Sequence, residues 1–153
     1  MELDETAHIL GSADFFAICT LEQRRMLAFA SEQVFFEAGK TLFVAGEVIS
    51  GAYVLISGEL ISTKLSKRVE KPVFIDAPGT VIGELALIAK HPRRATITCK
   101  TDAKLLYVPR SAFAKLMQQF PDVAVRAMAF IQDDISKYVG SLKQVRLSPA
   151  KKY

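Results

Sequence analysis

Gly83-Glu84-Leu85-Ala86-Leu87, then Ile88-Ala89-Lys90-His91, then Pro92-Arg93-Arg94-Ala95-Thr96: this stretch joins a carboxylate, a short apolar turn and an arginine. Arg93 follows Glu84 by nine residues and leads into an alternating run. Backbone N–H groups at the start of a short helix favour an anion. An arginine fork grips phosphate oxygens, and a carboxylate accepts hydrogen bonds from sugar hydroxyls. A small ligand carrying both a phosphate and a free hydroxyl would answer all three groups, which core packing explains less well. Taken alone, Glu84 and Arg93 would also suit a structural ion pair.

The surrounding texture is that of short strands. Val34-Phe35-Phe36, Thr41-Leu42-Phe43-Val44, Ala52-Tyr53-Val54-Leu55-Ile56 and Glu59-Leu60-Ile61-Ser62-Thr63 are β-rich runs. Ala38-Gly39, Ala45-Gly46-Glu47 and Ser57-Gly58 separate them with turn chemistry. Runs at 71–76, 94–100 and 104–109 continue the series, with Ala95, Ile97 and Cys99 alternating with polar neighbours. Seven or eight short strands at this spacing predict a mainly β domain, a sandwich or an eight-stranded jelly roll, and not a parallel sheet with crossover helices.

Helices flank the strands. Residues 3–10 and 13–18 read as short helical pieces. Thr20 with Gln23 forms a capping box for a helix reaching about Ser31, its Leu21, Met26, Leu27 and Phe29 placed to pack on something larger. Ser111 is placed to cap a helix to about Gln119, Pro121 punctuates, and a long helix runs from Asp122 to about Arg146. In it Ala124, Met128, Ile131, Ile135, Tyr138, Leu142 and Val145 recur at spacings of four and three, a heptad seam. The first half of that seam could pack on its own domain. The second half would extend past it, which predicts a parallel homodimer with Tyr138 and Leu142 near its axis.

Composition removes several function classes. The chain has 153 residues, 50% of them hydrophobic, enough for one core without staples. A membrane span needs roughly 20 consecutive apolar residues, and no such run occurs. The acidic start lacks the charged and apolar regions of a signal peptide, so cytoplasmic residence is expected. Cys19 and Cys99 are expected to be reduced, buried thiols. The formal charge of +4 is spread out, with concentrations at 64–71 and 143–152, unlike a nucleic-acid footprint. A metal-dependent jelly-roll enzyme needs two or three histidines with a carboxylate. His8 and His91 are the chain's two histidines and are badly placed, so no enzyme and no metal or other cofactor is expected.

From about Phe15 to Lys143 the chain resembles the cyclic nucleotide-binding domains of catabolite activators and protein kinase regulatory subunits. The resemblance rests on Ala38-Gly39-Lys40-Thr41-Leu42-Phe43, Gly46-Glu47, Tyr53, Ser57-Gly58-Glu59, Ala77-Pro78-Gly79 and the 83–96 stretch, which matches that family's phosphate-binding cassette. It implies an N-terminal helical segment (1–33), a β-roll (34–109) with its cassette at 82–96, C-terminal helices (110–147) and a tail (148–153). It places ligand contacts at Gly83, Glu84, Leu85, Ala86, Arg93, Arg94 and Ala95. Glu84 would take the ribose hydroxyl and Arg93 a phosphate oxygen. Backbone N–H groups of Ala86 and Arg94 would complete the anion site, and Gly83 would allow close approach. Residues 125–134 would form the lid.

Three departures from the family pattern stand out. Ser50 occupies the place of an acidic residue that orients the arginine, Arg94 replaces a small residue beside the ligand, and Ile82 stands where an aromatic is common, a change expected to be neutral. The resemblance implies a sensor of cAMP, with cGMP the weaker ligand because no Ser or Thr follows Arg93. Movement of the C-terminal helix would report to a dimer mate or an unidentified protein, without direct DNA or membrane binding. A domain that has kept the roll, lost the ligand and acts as an interaction or dimerisation module is the alternative. The methionine start and basic tail suit a free-standing protein.

Overall fold

The computed structural model describes residues 2–64 and 71–144, with side chains described as far as Gln132 in the last helix. Eight strands are present among them: β1 (Glu32–Phe36), β2 (Thr41–Phe43), β3 (Gly51–Ser57), β4 (Leu60–Lys64), β5 (Val73–Ile75), β6 (Val81–Ile82), β7 (Ala95–Cys99) and β8 (Ala103–Pro109). They form two four-stranded antiparallel sheets, ordered β1-β8-β3-β6 and β2-β7-β4-β5. The mainly β expectation holds. β6 escapes sequence reading because two residues carry no period; its pairing of Ile82 with Tyr53 defines it.

Between the sheets lies a core of Phe43, Ile49, Leu55, Leu60, Ile82, Ile97, Cys99 and Leu105. Alternation along β4 and β7 sets which side chains enter it. Leu60 and Cys99 are register partners and both are buried, so Ser62, Lys64 and Ala95 share their face. Both cysteines are free and buried, and burial pushes the Cys19 thiol up to about 11.

A second core joins the first sheet to the helices α1 (Leu3–Gly11), α2 (Leu21–Ala30), α3 (Arg110–Gln119) and α4 (Pro121–Gln144). Its centre is Phe15, in a 3-10 turn over Phe15–Ile18. The Phe15 ring lies 5.2 Å from Phe16, 5.5 Å from Phe113 and 5.4 Å from Phe130. One aromatic ring thus contacts its own turn, α3 and α4. Arg126 Nε of α4 also donates to the Ile18 carbonyl at 2.8 Å, tying the long helix to that turn.

Three local expectations need revision. Thr20 does close the capping box with Gln23, but α2 buries Gln23, Leu27 and Ala28. Leu21 and Phe29 lie outward, because the helix docks on α1 and α3 by the opposite face. α3 starts at Arg110, one residue before the expected cap Ser111, and Pro109 supplies no side-chain cap. In α4 the domain-facing stripe is Val123, Ala127 and Ile131; of the expected seam, Ile131 is buried, Ala124 half-buried and Met128 exposed. The side chains of Ile135, Tyr138 and Leu142, and all of Val145, lie outside the described residues.

Phe15 is 1% exposed and Phe29 is 85% exposed, so the two residues should respond oppositely to truncation. Phe15→Ala should cost about 3–5 kcal/mol by urea denaturation, as cavity-forming aromatic truncations do. Phe29→Ala should stay within about 0.5 kcal/mol of the parent.

Candidate functional site

The cassette is built on a left-handed glycine. Gly83 has φ +86° and stops β6, so that Glu84–Leu87 can form a single 3-10 turn. Ala86 and Leu87 are buried beneath this turn, Ala86 in the inter-sheet core and Leu87 in the helical core. Leu85, half-buried, packs against the helical core too. The turn is therefore wedged between both cores.

Arg93 returns to the same place. Its backbone N–H donates to the Glu47 carbonyl at 2.8 Å and its carbonyl accepts from Gly46 N–H at 2.7 Å, locking it to the β2–β3 loop. A Cβ added at Gly83 would lie 3.6 Å from Arg93 Nη1 and 3.1 Å from Ile49 Cδ1, so glycine leaves just enough room there. The guanidinium carbon sits 5.8 Å from the Phe43 ring centroid. Arg93 Nε and Nη1 are buried and have no hydrogen-bond partner among the described residues.

Burial lowers the Arg93 pKa from the ordinary guanidinium value; the Glu84 carboxylate opposes that shift and the Arg94 cation adds to it. All three charged side chains therefore share one electrostatic neighbourhood. A desolvated cation with unused donors is costly by itself and becomes favourable when an anion accepts from it. Ser50 is directed elsewhere, its hydroxyl bonded to the Tyr107 hydroxyl. Arg94 is exposed, and Ala95 is half-buried opposite Lys64 in the β4–β7 ladder. The Ala86 N–H, expected to face the ligand, donates here to the Gly83 carbonyl at 2.9 Å, closing the 3-10 turn.

Glu84 also lines a cavity of about 370 Å³, walled by Phe15, Thr80, Val81 and Phe130. Phe130 belongs to the α4 segment expected to act as a lid and walls the same cavity as Glu84. His91 is exposed with Nδ1 against the Pro92 carbonyl, and His8 is exposed on α1.

One residue of the site escaped sequence reading. Arg110 Nε donates to the Ala86 carbonyl at 2.6 Å, Nη2 donates to the Ile49 carbonyl, and its backbone N–H donates to Ser50 O at 2.8 Å. A signal existed. A cation at the first position of a helix opposes the helix dipole, so its presence calls for a specific partner.

A family model described as cyclic nucleotide-binding domain matches residues 33–120, more than half of the chain. The chain belongs to the cyclic nucleotide-binding domain family. The cAMP-dependent protein kinase regulatory subunit of Aspergillus niger is 35% identical over 69% of this chain. That match spans 25% of the relative's length. Among solved structures, a cyclic nucleotide-binding-like protein from Brucella abortus is 30% identical over 74% of this chain and 98% of that one, with a TM-score of 0.63. The regulatory domain of Toxoplasma gondii protein kinase A, solved with cAMP, has a TM-score of 0.71 at 22% identity, covering 89% of this chain and 50% of that one. That last likeness is one of fold. It agrees with the two four-stranded sheets and flanking helices of this cyclic nucleotide-binding domain.

Gly83→Ala tests how tightly this site is built. A side chain at φ +86° is strained and would press on Ile49 Cδ1. The substitution should destabilise the protein by about 1–2 kcal/mol in urea denaturation, and the Ile49 methyl resonances should shift.

Proposed function

We propose that this domain binds a cyclic nucleotide, cAMP in preference to cGMP, and works as a non-enzymatic regulatory sensor. The observation that carries the reading is the Arg93 guanidinium, buried with two unused donors beside Gly83 and in the field of Glu84. A cyclic phosphate supplies the missing acceptor and its ribose supplies a hydroxyl for Glu84. The ligand is exchanged and not transformed, so no cofactor is required. The residue after Arg93 is Arg94, which cannot offer the hydroxyl that favours guanine; this supports cAMP. The cAMP bound to the Toxoplasma regulatory domain and the name of the Aspergillus relative point to the same ligand class.

The signal would pass to α4. Phe130 and Glu84 wall one cavity, so a ligand that draws Glu84 toward a ribose changes what Phe130 packs against. A shift between two packings of α4 follows if the ligand prefers one of them. The outer side of α4, with Val125 and Met128 exposed, is apolar and suits a second copy of the chain. A homodimer through this helix, acting on a downstream protein in the cytoplasm, completes the proposal. No helix among the described residues is long and apolar enough to cross a membrane.

Calorimetric titration tests the reading. The wild-type protein should bind cAMP more tightly than cGMP. Arg93→Ala should weaken cAMP binding by roughly a hundredfold, the loss of a charge-assisted pair, and Glu84→Ala should weaken it by about tenfold. No heat of binding with either nucleotide would leave the ligand-free dimerisation module as the function. In sedimentation, Met128→Glu should shift a dimer toward monomer.

A further inference from the structure

The helical part of the cassette, Glu84–Leu87, is a four-residue turn, and such a turn has little stability of its own. At its carbonyl end Leu85 O accepts from the Ile88 and Ala89 N–H groups, whereas the Ala86 carbonyl takes its donor from a side chain and is buried, Ala86 being 1% exposed. Ile49, whose side chain borders the space at Gly83, presents a second carbonyl from a residue 8% exposed. A buried carbonyl left without a donor is costly. Arg110 supplies donors to both, Nε to Ala86 and Nη2 to Ile49, while its backbone N–H bonds the next carbonyl, Ser50 O.

We propose that Arg110 is a positioning residue that pins the cassette turn against the β2–β3 loop and ties it to the first residue of α3. The two carbonyls are unequal in what else restrains them. Ile49 leads into β3, whose ladders with β8 and β6 hold it. The cassette turn follows β6 and packs on β3 through buried side chains, but none of its residues belongs to a ladder. Loss of the guanidinium is therefore relieved most easily by the turn, which can swing its carbonyl toward water. Arg110 also opens α3, which packs on the cassette turn and on α4, so the turn and the C-terminal helices cannot move independently while this link is made.

Amide hydrogen exchange of the unliganded protein tests this without depending on ligand identity. In Arg110→Ala, the amides of Ala86, Ile88 and Ala89, which close the cassette turn, should exchange roughly tenfold faster, with β3 and β8 amides unchanged. A uniform rise across all amides, or none in the cassette, would overturn the proposal. Arg110→Lys keeps the charge but reaches one carbonyl, so it should fall between the two; it carries the test if the alanine variant does not fold. A second arm rests on the functional reading above: cAMP affinity should fall by roughly tenfold in Arg110→Ala, and less in Arg110→Lys. If the wild type gives no cAMP heat while the cassette loosens in the variants, the ligand reading fails and the positioning role stands. If the wild type binds cAMP and the cassette does not loosen, the positioning role fails.

Discussion

Burial of the Arg93 guanidinium is the constraint around which the rest of the cassette is arranged. Removing a cation from water is expensive, and the structure meets only part of that cost through Phe43 beneath it and Glu84 nearby. The remainder shows as two unused donors and a lowered pKa. Several otherwise unrelated features follow from holding that group in place. Gly83 beside it must be glycine because its φ of +86° strains any side chain and a Cβ there would crowd Ile49 Cδ1 at 3.1 Å. The β2–β3 loop at Gly46 and Glu47 must lie alongside because its backbone groups fix Arg93. The jelly roll is what lets strands distant in sequence deliver these pieces to one end of the barrel.

Connection to the helices comes through aromatic packing and two arginines. Phe15 touches α3 and α4 at once, and Arg126 binds the carbonyl of Ile18 in the same turn as Phe15. Arg110 makes the matching link on the other side, from α3 to the cassette. The helical layer and the anion site are thereby joined by directional bonds to backbone carbonyls, which a small displacement breaks or makes in discrete steps. This is a physical basis for two-state behaviour, since packed interfaces tend to switch between arrangements instead of deforming smoothly.

Much of this was readable from local pattern. Strand alternation located all but β6, and the Thr20–Gln23 capping box placed α2 to within a residue. Glu84 and Arg93 were identifiable because their spacing matches a motif with a chemical reason behind it. Facing was harder to read. On α2, Phe29 looked like a packing residue and is solvent-exposed; on α4, the buried stripe runs through Val123 and Ala127, beside the one suggested by Ala124 and Met128. A helix with apolar residues on more than one side has no internal rule for which side docks.

By itself the sequence determined the strand-rich class, the capped start of α2 and the spacing of a carboxylate from an arginine nine residues on. Those properties depend on neighbours along the chain: alternation, capping and turn chemistry act over a few residues. The tertiary structure alone decided that Arg93 keeps two donors unspent, that Ser50 turns to Tyr107, and that Arg110 bonds a carbonyl 24 residues away. Desolvation and long-range hydrogen bonds depend on what surrounds a group in space, and no reading along the chain supplies that surrounding.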